Sequence, residues 1–190
     1  MNKGPVLVKP EPWIEEPDLT YVMFAQKEFH DYFEVPKTGA TQQLYINLVE
    51  EEHEEWIEDY YSEKANEFDE LKELADLLYV TAGLAYQMSY QLSKANKYTE
   101  NGIYEYSISD LVSEIATGRK DRKCLSNLIY CLFGYANSMG WDLLEAYRRV
   151  HLSNLSKLDD AGKPIRREDG KVLKGPNYKP PFLEDLTEGR

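Results

Sequence analysis

An all-α helical bundle, with inserted helices and a C-terminal β-hairpin arm, is the fold this sequence predicts. Three observations predict it. All nine prolines (5, 10, 12, 17, 36, 164, 176, 180 and 181) lie outside residues 37–163, and proline breaks helix interiors. Within that block the apolar residues recur at three- and four-residue spacing, the period of a helix with one buried face. The 190 residues are 42% apolar and 29% charged, enough for one folded domain that buries roughly 70% of its unfolded surface without staples. One domain over 1–190 follows, with a core at 18–158, an insertion at about 88–125 and an arm at 159–190.

The first helix starts at Asp18, a good N-cap after Pro17, and runs toward Phe33 with Val22, Ala25, Phe29 and Phe33 on one face. A second runs from about Thr41 to Tyr61, and a third from Asn66 or Glu67 to about Gln91. Residues 92–107 read as a loop, with Asn101-Gly102 as a turn. Ser109 caps a short helix ending at Gly118, and Asp121 opens another that stops at Gly140. Asp142 caps the last helix, with Glu145 in capping-box position. After it, Asp169-Gly170 between two short β-prone runs predicts a hairpin.

The net charge is −12, which argues against a general nucleic-acid binder, since such proteins meet phosphates with a basic face. Cys124 and Cys131 lie seven apart on one helix, too far along the axis to bridge, and a reduced, cytoplasmic protein is the expectation. Met1–Pro10 has no apolar signal core, and Leu77–Ser93 reads as a buried helix, not a membrane span.

Residues 50–76 hold thirteen acids against only Lys64 and Lys72. Glu54, Glu58 and Glu70 fit a solvated helix face. Glu52 and Glu55 do not, because the apolar stripe of the second helix (Leu44, Leu48, Val49, Trp56, Tyr60) passes over them. On the third helix Glu73 and Asp76 sit three apart in a run that is apolar nearly all round. Two helices thus each aim a carboxylate pair inward. Unpaired buried carboxylates cost several kcal/mol each, and the basic side chains nearby in sequence are too few to offset four. Carboxylate oxygens are the ligands hard divalent cations prefer, so Glu52, Glu55, Glu73 and Asp76 are candidate ligands for Mg²⁺ or Mn²⁺. The alternative is pairing with Lys or Arg from elsewhere in the bundle.

These residues form Leu48-Val49-Glu50-Glu51-Glu52-His53-Glu54-Glu55-Trp56, then Glu73-Leu74-Ala75-Asp76-Leu77-Leu78-Tyr79-Val80 after a 17-residue gap. The pattern EExxE followed by ExxD resembles the MazG-like all-α NTP pyrophosphohydrolase superfamily. Val150-His151-Leu152-Ser153-Asn154-Leu155-Ser156-Lys157 and Gly170-Lys171-Val172-Leu173-Lys174-Gly175-Pro176 are similar to its phosphoribosyl-ATP pyrophosphohydrolase-like, phage-type branch. The resemblance covers about residues 41–86 and 128–181. Residues 88–125 depart from it as an insertion, which reads as a lid, an interface or decoration.

The resemblance implies hydrolysis of (d)NTPs between the α- and β-phosphates to monophosphate and pyrophosphate. It also implies Mg²⁺ or Mn²⁺ on Glu52, Glu55, Glu73 and Asp76, and assembly as a homodimer or homotetramer. Glu51 is the candidate water-orienting base, its alternatives being a further ligand or a surface acid. Asn154 and Lys157 are implied nucleotide contacts. Lys171 and Lys174 are a candidate phosphate clamp, in a segment (157–179) with seven cations against four acids; the alternative is an arm packed on a neighbouring subunit. Phosphoribosyl-ATP as substrate, and a non-catalytic acidic interaction protein, are the competing functions. His151 reads as a core histidine, His53 as a surface one, His30 carries no signal, and Tyr79 and Trp56 read as core.

Overall fold

The computed structural model describes residues 17–92 and 104–187, the side chains of 105 and 106 excepted. The predicted 92–107 loop, with its Asn101-Gly102 turn, falls largely outside them, as does Met1–Pro10. The fold is all-α. Among the described residues six helices follow in order, α1 (Thr20–Tyr32), α2 (Gly39–Tyr61), α3 (Glu67–Gln87), α4 (Tyr104–Ala116), α5 (Arg122–Met139) and α6 (Leu143–Leu155), and one 3₁₀ turn at Glu184–Leu186.

Helix α3 is the hub, packed against α1, α2, α5 and α6. Its sequence requires this. Leu74, Ala75, Leu77, Leu78 and the run 79–85 are all buried, and a helix apolar all round must be enclosed. Gly83 lets α2 approach closely: a Cβ there would stand 2.2 Å from Tyr45 Cε1. Gln26 ties three helices together, its amide donating to the Tyr79 carbonyl on α3 and the Tyr147 hydroxyl on α6, both at 2.9 Å.

Local chemistry sets the helix ends. Thr38 Oγ1 accepts the Thr41 N–H at 3.1 Å, so α2 starts before Thr41. Asp121 caps α5, and Gly140, at φ +76°, closes it in the left-handed conformation as predicted. Asp142 caps α6 by accepting the Glu145 N–H at 3.0 Å. The reciprocal half of that box is not made, because Arg148 and Arg149 hold the Glu145 carboxylate at 2.7–2.8 Å. Two ends differ from expectation. α3 stops at Gln87 rather than near Gln91: Ser89 turns left-handed (φ +58°), and the Tyr90 N–H closes on the Ala85 carbonyl at 2.9 Å. Ser109 does not cap α4, which starts at Tyr104; its hydroxyl instead meets His53 Nε2 at 3.0 Å.

Glu70 is also not solvated as expected. It is 3% exposed and accepts the Tyr135 hydroxyl from α5. Cys124 and Cys131 are buried and unbridged. The C-terminal segment forms no β-strand among the described residues. It holds two isolated antiparallel bridges, Leu158–Pro164 and Arg166–Val172, and prolines 164, 176, 180 and 181 cannot donate to a ladder. The segment is a strap. Arg166 donates to the Phe33 carbonyl, Ser153 Oγ to the Lys179 carbonyl at 2.7 Å, and Arg149 to the Phe182 carbonyl at 2.8 Å. No described helix is long and apolar enough to cross a membrane.

Candidate functional site

Residues 44, 48, 52 and 55 form one ridge of α2, apolar at one end and acidic at the other. α3 runs antiparallel to it: the Gln42 amide reaches the Gln87 carbonyl at 3.4 Å, and Tyr45 faces Gly83. The acidic turns of both helices, Glu52–Glu55 and Glu73–Asp76, therefore fall at the same end. Between them lies a cavity of about 640 Å³ including its mouth. Leu44, Leu48 and Glu52 supply its α2 wall, and Asp76, Tyr79 and Val80 its α3 wall. Asn154 comes from α6 and Lys157 from the turn just after it, Arg166, Gly170, Lys171 and Val172 from the strap, and Phe29, Val35 and Tyr45 complete the apolar floor.

Glu52, Glu55 and Glu73 each place one carboxylate oxygen within 4.8 Å of the other two. That separation and all-oxygen chemistry fit a hard divalent cation. Glu73 Oε2 is buried with no hydrogen-bond partner, as expected of an oxygen kept for something outside the protein. Burial, then Asp76 and Glu55, pushes the Glu52 carboxyl up to about 8. Burial likewise pushes Glu73 up to about 7, against the opposing pull of Lys72. Charge is thus in surplus where the three acids meet.

Three corrections apply to the expected quartet. Glu55 is exposed, so the acids gather at the rim rather than in the interior. Asp76 lines the cavity but stands outside the trio. Part of their charge is also offset, because Lys72 Nζ lies 2.6 Å from Glu73 Oε1 and 2.9 Å from Asp76 Oδ2, one ammonium between two carboxylates. That ammonium, one residue and four residues from its partners on the same helix, bridges Glu73 to Asp76.

Glu51 is ion-paired to Lys171 Nζ at 2.5 Å. Lys157 is largely buried, and desolvation lowers its pKa while Asp76 and Glu52 pull the other way. Lys174 does not reach the cavity. It lies beyond the Arg166–Val172 bridge with its Nζ 4.8 Å over the Tyr178 ring. Tyr79 walls the cavity, whereas Trp56 is core at 0% exposure. His151 is 1% exposed, with Tyr79 and Glu28 on its two nitrogens. His30 is held by the Gln26 carbonyl at 2.7 Å, and burial lowers it to about 4.

Sequence reading missed Phe29 and Tyr45 as wall residues and had Arg166 only among the cations of 157–179. Leu44, Leu48 and Glu52 at four-residue spacing were the available signal for a cavity along α2; nothing local marked Phe29 or Tyr45. No protein-family model matches this chain, and no curated protein and no solved structure matches it.

Proposed function

We propose that this chain is a metal-dependent nucleoside triphosphate diphosphohydrolase, converting (d)NTP and water to (d)NMP and pyrophosphate. The observation that carries the reading is convergence: Glu52, Asp76, Asn154, Lys157 and Lys171, from four separate segments, wall one cavity. The resemblance to MazG-like enzymes noted above supports the same reaction. Acids lie at one end of that cavity, and an aromatic and aliphatic floor at the other.

Glu52, Glu55 and Glu73 would hold Mg²⁺ or Mn²⁺, which when bound spreads the charge of the phosphates and acidifies water. Lys157, Lys171 and Arg166 meet phosphate oxygens with fixed positive charge. Glu51 orients the attacking water once the triphosphate draws Lys171 from it. Phe29, Tyr45 and Tyr79 enclose the base. The strap supplies one wall of the cavity, and chains pair as homodimers or homotetramers.

A panel of NTPs and dNTPs with Mg²⁺ or Mn²⁺ tests this. The expected products are monophosphate and pyrophosphate in equal amounts. Orthophosphate from the γ position contradicts the bond assigned, turnover confined to phosphoribosyl-ATP gives the narrower enzyme, and no turnover of any nucleotide sinks the reading.

Lys72→Met is expected to tighten Mn²⁺ binding about tenfold, because it removes a cation competing for Glu73 and Asp76 (about 1.4 kcal/mol after screening). Titration followed by electron paramagnetic resonance checks it; unchanged or weaker affinity shows that Lys72 does not compete.

A further inference from the structure

Among the described residues, the apolar and aromatic side chains that line the cavity carry two hydroxyls, those of Tyr45 on α2 and Tyr79 on α3. Both residues are 5% exposed, and the fold treats their hydroxyls in opposite ways.

The Tyr79 hydroxyl is engaged inside the protein. It lies 3.0 Å from His151 Nδ1, and His151 Nε2 lies 2.8 Å from Glu28 Oε2. A carboxylate only accepts, so Nε2 carries the proton of a neutral imidazole, Nδ1 accepts, and the phenol donates to it. His151 is 1% exposed and does not line the cavity. The Tyr79 proton is therefore committed within the bundle, and Tyr79 offers the cavity no donor.

The Tyr45 hydroxyl has no such engagement. It makes no hydrogen bond to any described residue, and it is not among the polar atoms sealed from solvent without a partner. The little surface Tyr45 keeps therefore includes its hydroxyl, and the opening it meets is the cavity it lines. The ring has no room to swing toward a partner elsewhere. Its Cε1 edge abuts α3 at Gly83, where a Cβ would stand 2.2 Å away, and its face stacks on His30 at 5.5 Å between centroids. A bound molecule meets this hydroxyl already held in place, with no internal bond to break.

We infer that the Tyr45 hydroxyl is the group with which the apolar end of the cavity hydrogen-bonds its ligand. The ligand class is a flat heteroaromatic ring with nitrogen or oxygen at its edge, able to lie among Phe29, Tyr45 and Tyr79 and needing one polar partner there. A hydroxyl both donates and accepts, so it meets an N–H or a lone pair equally. Calling that ring a nucleobase rests on the proposed function; the unengaged hydroxyl does not.

Two single-atom deletions test the proposal, read by melting curves of the ligand-free chain and by calorimetry with α,β-methylene dNTP analogues, whose α–β bond resists hydrolysis. Tyr45→Phe removes a hydroxyl that holds nothing in the fold. Its midpoint is expected within about 2 °C of the wild type, with analogue binding weakened about fivefold, the loss of one hydrogen bond. Tyr79→Phe leaves His151 Nδ1 buried and unpaired. Its midpoint is expected to fall about 3 °C or more, with analogue binding unchanged. Tyr45→Phe that binds as the wild type does, or that melts as low as Tyr79→Phe, overturns the proposal. If no analogue binds the wild type, the nucleotide reading falls, and 2-pyridone, a ring with an N–H and a C=O edge and no phosphate, replaces the analogues in ligand-observed NMR. Pyridone binding that weakens in Tyr45→Phe then supports the role of the hydroxyl on its own; equal binding in both chains, or none, overturns it.

Discussion

Glu52→Gln is expected to abolish turnover while making the metal-free fold more stable. The substitution keeps the shape of the side chain and removes one of the three charges that meet within 4.8 Å. Loss of about 10³-fold in turnover corresponds to roughly 4 kcal/mol, and Mn²⁺ affinity falls with it. Stability moves the other way. In an unfolded chain a glutamate ionises near 4.3, whereas in the fold Glu52 holds its proton up to about 8. Below pH 4 both states are protonated and the residue is neutral toward folding. From there upward the unfolded chain sheds the proton first, so the metal-free wild type loses stability as pH rises, and the loss is complete above about 8. Glutamine does not titrate. Thermal unfolding in chelator therefore places the variant above the wild type at pH 8 and level with it near pH 4. A variant that melts with or below the wild type at pH 8, or that retains turnover, sinks the assignment.

Gly83→Ala is the second large effect, and it joins fold to site. In a helix with room to spare, alanine stabilises by about 1 kcal/mol over glycine. Here its Cβ would lie 2.2 Å from the Tyr45 ring. That ring is 5% exposed and stacked on His30 at 5.5 Å between centroids. Its open direction is the cavity it lines. The expected cost is about 1–3 kcal/mol of overpacking, a sizeable part of the roughly 5–15 kcal/mol that holds a domain folded. The displaced ring also takes space from the ligand, so KM for nucleotide rises at least about tenfold with a smaller change in kcat. Melting curves and steady-state kinetics on one preparation check both; a native Tm with a native KM shows that Tyr45 has somewhere else to go.

Much of the architecture was legible because it is written locally. Asp121, Gly140 and Asp142 mark helix ends through hydrogen bonds to residues within a turn of themselves, and the proline-free block marks the bundle. The acids of the site were legible for a similar reason: Glu52 sits four residues beyond Leu48, and Asp76 interrupts a run of leucines. What failed depends on partners far along the chain. Glu70 is charged and looks solvated until Tyr135, sixty-five residues on, supplies its hydrogen bond. Lys171 was read as a candidate for phosphate, and it does line the cavity, but its pairing with Glu51, 120 residues away, had no local signal. The hairpin pattern at 165–173 is real as a reversal. It falls short of a ladder because the residues beyond it hydrogen-bond to α6 rather than to each other. Lys72 was counted as too little to offset the acids, and what the count could not show is that its one ammonium sits between Glu73 and Asp76.

The strap has a consequence for how the molecule comes into being. Arg166, Gly170, Lys171 and Val172 complete the cavity wall, yet they come after α1 to α6 in the chain. On the ribosome the acidic turns of the cleft and Lys157 are made before Arg166 and Lys171. A chain halted before the strap holds the acids of the cleft and lacks two of its three cations.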